Sequence, residues 1–342
     1  MRLAPSWWFA TNLMRVIVLG SGSWGTALAI LLSRNGNDVT LWGRSAVEVE
    51  SISTAHENAR YLPGFVFPSS VKVTHKSDQL SEADIWVVAV PSESARQVAS
   101  LVRGINPTIV IASKGLESST GSLLSQEIAA DFADSKVGVL SGPNLAVEVV
   151  RGVPTAAVIA FKNLPDAEST RLAFSSRNYR VYISDDVAGV ELAGALKNVL
   201  AIGAGLADGL GFGDNTKGAL LARGLHEMAT LGMAMGAKLD TFLGIAGVGD
   251  LFATAASRLS RNYRVGRALG EGKSLEEALK AINQVAEGVH TSRCAVLLAS
   301  RYGVSTPLFG AIDGVLTGKM QPLEAVDCLM DRLPREEGFI SP

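Results

Sequence analysis

The sequence predicts an α/β protein whose first half is a Rossmann-type doubly wound parallel sheet and whose second half is all α. Three features carry this reading. Short β-branched runs alternate with helical patterns through the first half, as strands joined by crossover helices do. A complete glycine fingerprint sits between the first strand and the first helix. Beyond about Gly189 the β-branched runs thin out and long alanine- and leucine-rich stretches take over. The expected division is an N-terminal extension over 1–13, a dinucleotide-binding domain over 14–189 and a helical domain over 190–342.

In chain order, strands are expected at 16–19, 38–42, 71–74, 85–90, 109–112, 137–140, 156–160 and 179–183, with helices at 24–34, 92–102 and 122–132 between several of them. The first helix should stop at Asn35-Gly36, a pair suited to a C-terminal cap. In the second half, helical stretches cover 190–206, 218–235, 274–282 and 291–302. The glycine-rich segment 207–215 separates the first two, with Asp214 or Asn215 suited to cap the second. In the fingerprint, Gly20 permits a tight strand-to-helix turn, Gly22 lets the backbone approach a pyrophosphate, and Gly25 lets the helix pack closely on the strand. Unpaired amides and the positive end of the helix dipole then favour an anion at that point. The alternative is a tight structural turn.

Composition narrows the function classes. The chain has 342 residues, 47% of them hydrophobic, which is enough for two domains and a large core. Lys and Arg total 31 against 33 acids, so a net charge of -2 gives no global attraction to nucleic acid or to an anionic membrane. Phosphate recognition must be local. Cys294 and Cys328 make no disulfide framework, which suits a reducing cytoplasm. The start of the chain, with Trp7-Trp8-Phe9, lacks the features of a signal peptide. The uncharged run 16–32 is divided by three glycines, so it reads as buried strand and helix with no stable membrane insertion. His56, His75, His226 and His290 have no metal-ligand spacing, and no metal site is expected.

Several residues have the chemistry of a site. No acid stands at the end of the second strand, where a carboxylate would hold the ribose 2′-hydroxyl of NAD; Arg44 stands there instead. Its planar fork matches a 2′-phosphate, which favours NADP(H) with NAD(H) as the alternative, unless Arg44 is an ordinary surface arginine. Lys114 follows the 109–112 strand and is either substrate-facing or a solvated loop residue. The loop Ser141-Gly142-Pro143-Asn144 leaves the 137–140 strand towards a short helix through Ala146, offering donors to a ligand or capping that helix. Lys197 interrupts an apolar helical run, and a buried ammonium is costly unless paired or used; otherwise its head reaches water along the helix. Asp250 sits in the glycine-rich turn Gly247-Val248-Gly249, as a cap or as an aimed carboxylate. Ser260-Arg261-Asn262 combines a cation with two uncharged donors, the types a substrate phosphate needs, or is solvated surface.

Taken together, Gly20-Ser21-Gly22-Ser23-Trp24-Gly25, Ser113-Lys114-Gly115, Leu140-Ser141-Gly142-Pro143-Asn144, Gly194-Ala195-Leu196-Lys197-Asn198, Gly247-Val248-Gly249-Asp250-Leu251 and Ser260-Arg261-Asn262 resemble the bacterial NAD(P)-dependent sn-glycerol-3-phosphate dehydrogenase family. The resemblance spans the chain from Met14 onward; no function is carried onto the residues before it. It implies reversible reduction of dihydroxyacetone phosphate to sn-glycerol 3-phosphate, the precursor of membrane phospholipids, and suggests a homodimer. By similarity Gly20, Gly22, Ser23, Trp24, Gly25, Arg44, Lys114 and Ala146 line the cofactor side. Lys114, Gly142 and Asn144 approach substrate; Lys197, the proton-transfer residue, and Asp250 are catalytic and also touch substrate. Asp250, Ser260, Arg261 and Asn262 complete the substrate site, Arg261 also lying near the cofactor. Val285 and Glu287 match a segment closing over the nicotinamide end, although Glu287 by itself reads equally as a solvated acid.

The implied chemistry is coherent. Reducing a ketone builds negative charge on its oxygen, which a positioned ammonium stabilises and then protonates. In the oxidative direction Lys197 must first be neutral; burial and Arg261 favour that, whereas Asp250 favours the ammonium. The balance expected is an ammonium near neutrality. A related β-hydroxyacid dehydrogenase and a non-catalytic dinucleotide sensor are the rival readings; phosphate dependence separates the first, and turnover the second.

Overall fold

The computed structural model describes residues 13–282, 284–333 and 338, so the extension expected over 1–13 lies, except for Leu13, outside the described residues. The first half comprises β1 (Arg15–Leu19), α1 (Ser23–Arg34), β2 (Asp38–Trp42), α2 (Ala46–Ala55), β3 (Lys72–Thr74), β4 (Ile85–Val88), α3 (Ser92–Ala99), β5 (Thr108–Ile111), α4 (Leu124–Asp131), β6 (Lys136–Ser141), α5 (Ala146–Arg151), β7 (Thr155–Phe161), α6 (Leu164–Phe174) and β8 (Tyr179–Ser184). The second comprises α7 (Val187–Gly209), α8 (Asp214–Ala234), α9 (Leu239–Leu243), α10 (Asp250–Ala256), α11 (Arg261–Gly270), α12 (Leu275–Ile282), α13 (Glu287–Tyr302), α14 (Pro307–Leu316) and α15 (Pro322–Met330).

The strands form one sheet in the order β3-β2-β1-β4-β5-β6-β7-β8. β1 to β6 are parallel, and the order reverses between β1 and β4, the switch point at which open α/β sheets bind ligands. β4 is buried at every residue and β1 at all but its first, as expected of strands covered on both faces by helices. The sheet is parallel, as expected, except at one joint: β7 runs antiparallel to β6, and β8 then pairs parallel to β7. Between β6 and β7 the only helix is the six-residue α5. At roughly 1.5 Å per residue it covers about half the length of a six-residue strand, so the chain turns back without returning to the far edge of the sheet.

α7 is the axis of the second half. By length and composition it could cross a membrane, but 89% of its most apolar window is buried inside the protein, which makes it a core helix. α11 lies directly on it: a β carbon on Gly266 would overlap the Ile202 carbonyl, and one on Gly205 would overlap that of Tyr263. This backbone-to-backbone approach delivers Arg261, at the start of α11, to the same edge as Lys197. α8 begins one residue after Gly213, which occupies the cap position; Asp214 is the first helical residue and neither it nor Asn215 caps the helix, contrary to expectation.

The glycine turn has the predicted geometry. Gly20 has φ +122, a region closed to most side chains, and its N–H donates to Trp42 O at 2.8 Å. A β carbon on Gly25 would overlap the Gly20 carbonyl oxygen. Gly25→Ala is therefore expected to push α1 away from β1, lowering Tm by several degrees and weakening cofactor binding at least roughly tenfold. Cofactor-fluorescence titration beside a melting curve checks this; unchanged binding would show that the turn tolerates the shift.

Candidate active site

The loops that follow the parallel strands converge at one edge of the sheet. Gly22 occupies the cap position of α1 without a side-chain cap, leaving the first-turn amides to face outward. A β carbon built on Gly22 would meet no atom within 4 Å, so open space lies in front of the helix start, as a pyrophosphate requires. Ser23 Oγ donates to Tyr61 O at 2.6 Å, and Trp24 Nε1 is buried with no partner. Arg44 is exposed just past β2. The end of β2 lies against the glycine turn, since a β carbon on Gly43 would stand 2.5 Å from Ser21 Oγ. These residues fit a dinucleotide.

Facing them is a buried cluster of opposite charges. Lys197, 5% exposed in the middle of α7, donates through Nζ to Asp250 Oδ1 at 3.0 Å and to Thr254 Oγ1 at 2.6 Å. Asp250 is 1% exposed, and its second oxygen accepts from Lys114 Nζ at 2.7 Å. Lys114 Nζ also donates to Gly142 O at 2.7 Å, tying the loop after β5 to the loop after β6. The local backbone explains the aim. Ile245–Gly249 form a π turn that runs straight into α10, so Asp250 is the first residue of a helix and not its cap; its carboxylate points across to the two lysines. Thr254, one turn later on the same face, donates to Asp250 Oδ1 at 3.1 Å.

The electrostatics follow from burial. Lys197 is brought down from 10.5 to about 8, first by desolvation, with the nearby ammonium of Lys114 adding to it and Asp250 opposing. Burial pushes Asp250 upward, but the two lysines outweigh it and hold the carboxyl below its ordinary value. The cluster therefore contains a carboxylate that stays ionised and an amine that gains or loses a proton near neutral pH.

Two further groups close the cleft. Asn262, buried behind Arg261, donates to Asn198 Oδ1 at 2.8 Å and accepts from Gly288 N at 3.0 Å; Asn198 donates in turn to Lys114 O at 3.2 Å. Glu287, at the start of α13, accepts from Ser92 N at 3.1 Å and from Ser92 Oγ at 2.5 Å, joining the helical half to the start of α3. Burial raises the Glu287 carboxyl against the pull of these hydrogen bonds and of Arg261; burial also lowers the Arg261 guanidinium, opposed by Glu287. Ser260 caps α11 by accepting from Tyr263 N at 3.3 Å. Asn144 buries both amide atoms without a partner beside Gly142, whose φ of +132 turns the chain there. Ala146 opens α5, and Val285 is 43% exposed at the rim.

Comparisons with known proteins bear on this arrangement. The profile described as NAD-dependent glycerol-3-phosphate dehydrogenase N-terminus matches residues 15–167, and its C-terminal counterpart matches 186–327. The chain belongs to the NAD-dependent glycerol-3-phosphate dehydrogenase family. It is 45% identical over 328 residues to glycerol-3-phosphate dehydrogenase [NAD(P)+] of Thermoanaerobacter sp. (strain X514), covering 95% of this chain and 99% of that one. It is 45% identical over 326 residues to the Desulfitobacterium hafniense (strain Y51) protein of the same description, covering 94% and 93%. The crystal structure of glycerol-3-phosphate dehydrogenase from Coxiella burnetii superposes with a TM-score of 0.89 at 36% identity, covering 94% of this chain and 99% of that one.

Of the residues this family resemblance singles out, Lys114, Gly142, Lys197 and Asp250 are joined by direct hydrogen bonds, and Arg261 and Glu287 interact electrostatically. Asn262 is largely engaged by protein partners, with one amide hydrogen left over. Sequence reasoning did not single out Thr254, Asn198 or Ser92. Thr254 lay four residues after Asp250 in a helical stretch, and that spacing was the one signal available.

Proposed function

We propose that this chain is an NAD(P)-dependent sn-glycerol-3-phosphate dehydrogenase, reversibly reducing dihydroxyacetone phosphate to sn-glycerol 3-phosphate for glycerophospholipid synthesis. The observation that carries the proposal is Lys197 Nζ, buried and held by Asp250 and Thr254 beside Lys114, at the sheet edge where the glycine turn opens. When bound, the reduced nicotinamide supplies the hydride. Lys197 gives its proton to the forming alkoxide, and Asp250 keeps the amine charged until then. Lys114 and the Asn144 amide orient the substrate; Arg261, helped by Ser260 and Asn262, neutralises its phosphate. Gly20, Gly22, Ser23, Trp24, Gly25, Ala146, Val285 and Glu287 form the cofactor side.

NADP(H) is the proposed preference, because Arg44 stands where an NAD enzyme places a carboxylate. The reading includes a two-domain division near residue 189, a cytoplasmic location, no nucleic-acid partner, no membrane insertion and assembly as a homodimer. A rate assay with dihydroxyacetone phosphate and either reduced cofactor tests it. Turnover should require the phosphate and run faster with NADPH, and Arg44→Ala should raise the KM for NADPH roughly tenfold with little effect on NADH. Turnover on a carboxylate substrate without any phosphate would overturn the substrate assignment, and equal KM changes for both cofactors would overturn the role of Arg44.

A further inference from the structure

Ser141 is the last residue of β6, its backbone fixed in register with Val158 of β7. It is 1% exposed, and its hydroxyl has no hydrogen-bond partner. A β carbon on Gly194 would stand 2.5 Å from Ser141 Oγ and 3.8 Å from Lys114 Cγ. The hydroxyl therefore lies against α7 beside the Lys114 stem, at the residue three positions before Lys197 and on the same helical face. A buried donor without a partner lowers stability, and an alanine of nearly the same size would remove that penalty. The same strand end carries Asn144, whose amide is also buried and unpaired. Two orphaned polar side chains within four residues, next to the lysine cluster, are what a site leaves open for a ligand.

We propose that Ser141 is a ligand-binding residue whose hydroxyl donates to a carbonyl oxygen brought into the cleft. This rests on the dehydrogenase reading, under which two carbonyls arrive there: the ketone of the substrate and the carboxamide of the nicotinamide. Either acceptor satisfies the hydroxyl, and Gly194 is required because any side chain there would occupy the space of Ser141 Oγ.

The test is Ser141→Ala in the full chain, measured by melting curve, by NADPH fluorescence titration without substrate, and by steady-state kinetics with dihydroxyacetone phosphate. Tm should stay level or rise. A drop of roughly tenfold in kcat/KM with unchanged NADPH Kd assigns the hydroxyl to the ketone; a Kd raised by a similar factor assigns it to the carboxamide. If both constants stay within about twofold of the parent, whatever Tm does, the proposal is overturned and the hydroxyl serves only packing or a buried water. Should Ser141→Ala fold poorly, Ser141→Cys keeps the shape with a much weaker donor and is read in the same way. A parent enzyme inactive on dihydroxyacetone phosphate would instead sink the dehydrogenase reading, and NADPH binding would still report on Ser141.

Discussion

Lys197→Ala is expected to lower turnover in ketone reduction by roughly 10²–10⁴-fold, the usual loss when a positioned general acid is removed. Affinity for the reduced cofactor should change little, because among the described residues Lys197 Nζ bonds to Asp250 and Thr254 and to no residue of the glycine turn. Stability should fall modestly, because the truncated buried side chain leaves a cavity, while Asp250 stays paired with Lys114. The pH profile gives a second readout. With Lys197 titrating near 8, reduction by the parent enzyme should fall and oxidation should rise as pH passes through that value, since reduction needs the ammonium and oxidation the free amine. In the variant that limb should vanish from both directions. Arg261→Ala makes the contrast: KM for the phosphorylated ketone should rise while kcat suffers less, as for a residue that binds more than it reacts. An oxidation profile unchanged in Lys197→Ala would mean that some other group carries the proton.

The strands were legible because a buried parallel strand is a short β-branched run with polar punctuation, and each run found in the sequence contains a strand within two residues of its expected ends. Direction was not legible: the run at 156–160 reads the same whether its strand is parallel or antiparallel, and only the shortness of α5 turns it back. At the site, Lys197 stood out because charge inside an apolar helix is expensive. The environment of Asp250 was hidden, since a glycine-rich turn before an acid looks like a cap, whereas Ile245–Gly249 wind into a π turn that feeds a helix. Thr254, Asn198 and Ser92 are ordinary polar residues locally. Their partners lie 57 or more positions away for all but Thr254–Asp250 and Asn198–Gly194, and no local pattern predicts such pairings.

Asp250→Asn should be the most disruptive substitution, and its effect should depend on pH. The carboxylate accepts from both Lys114 and Lys197, and replacing it with a neutral amide leaves the buried Lys197 ammonium facing the half-buried one of Lys114. Removing one partner from a buried ionic group costs about 3–5 kcal/mol. Lys197 escapes part of that cost by giving up its proton, so its folded-state value should fall below the parent's value of about 8. The sign of the linkage follows. A lysine titrating lower in the folded state than in the unfolded chain binds fewer protons when folded, so stability rises with pH between the two values. In the parent this rise begins near pH 8; in Asp250→Asn it should begin at lower pH, and at neutral pH the variant should gain stability as the buffer is made more basic. Activity should move oppositely, with the optimum for ketone reduction shifted to more acid pH because the ammonium survives only there. Melting curves and initial rates across the same buffers test the two halves together. A variant whose reduction optimum stays with the parent's would show that Asp250 does not set the charge on Lys197, and its place in the cluster would then be packing alone.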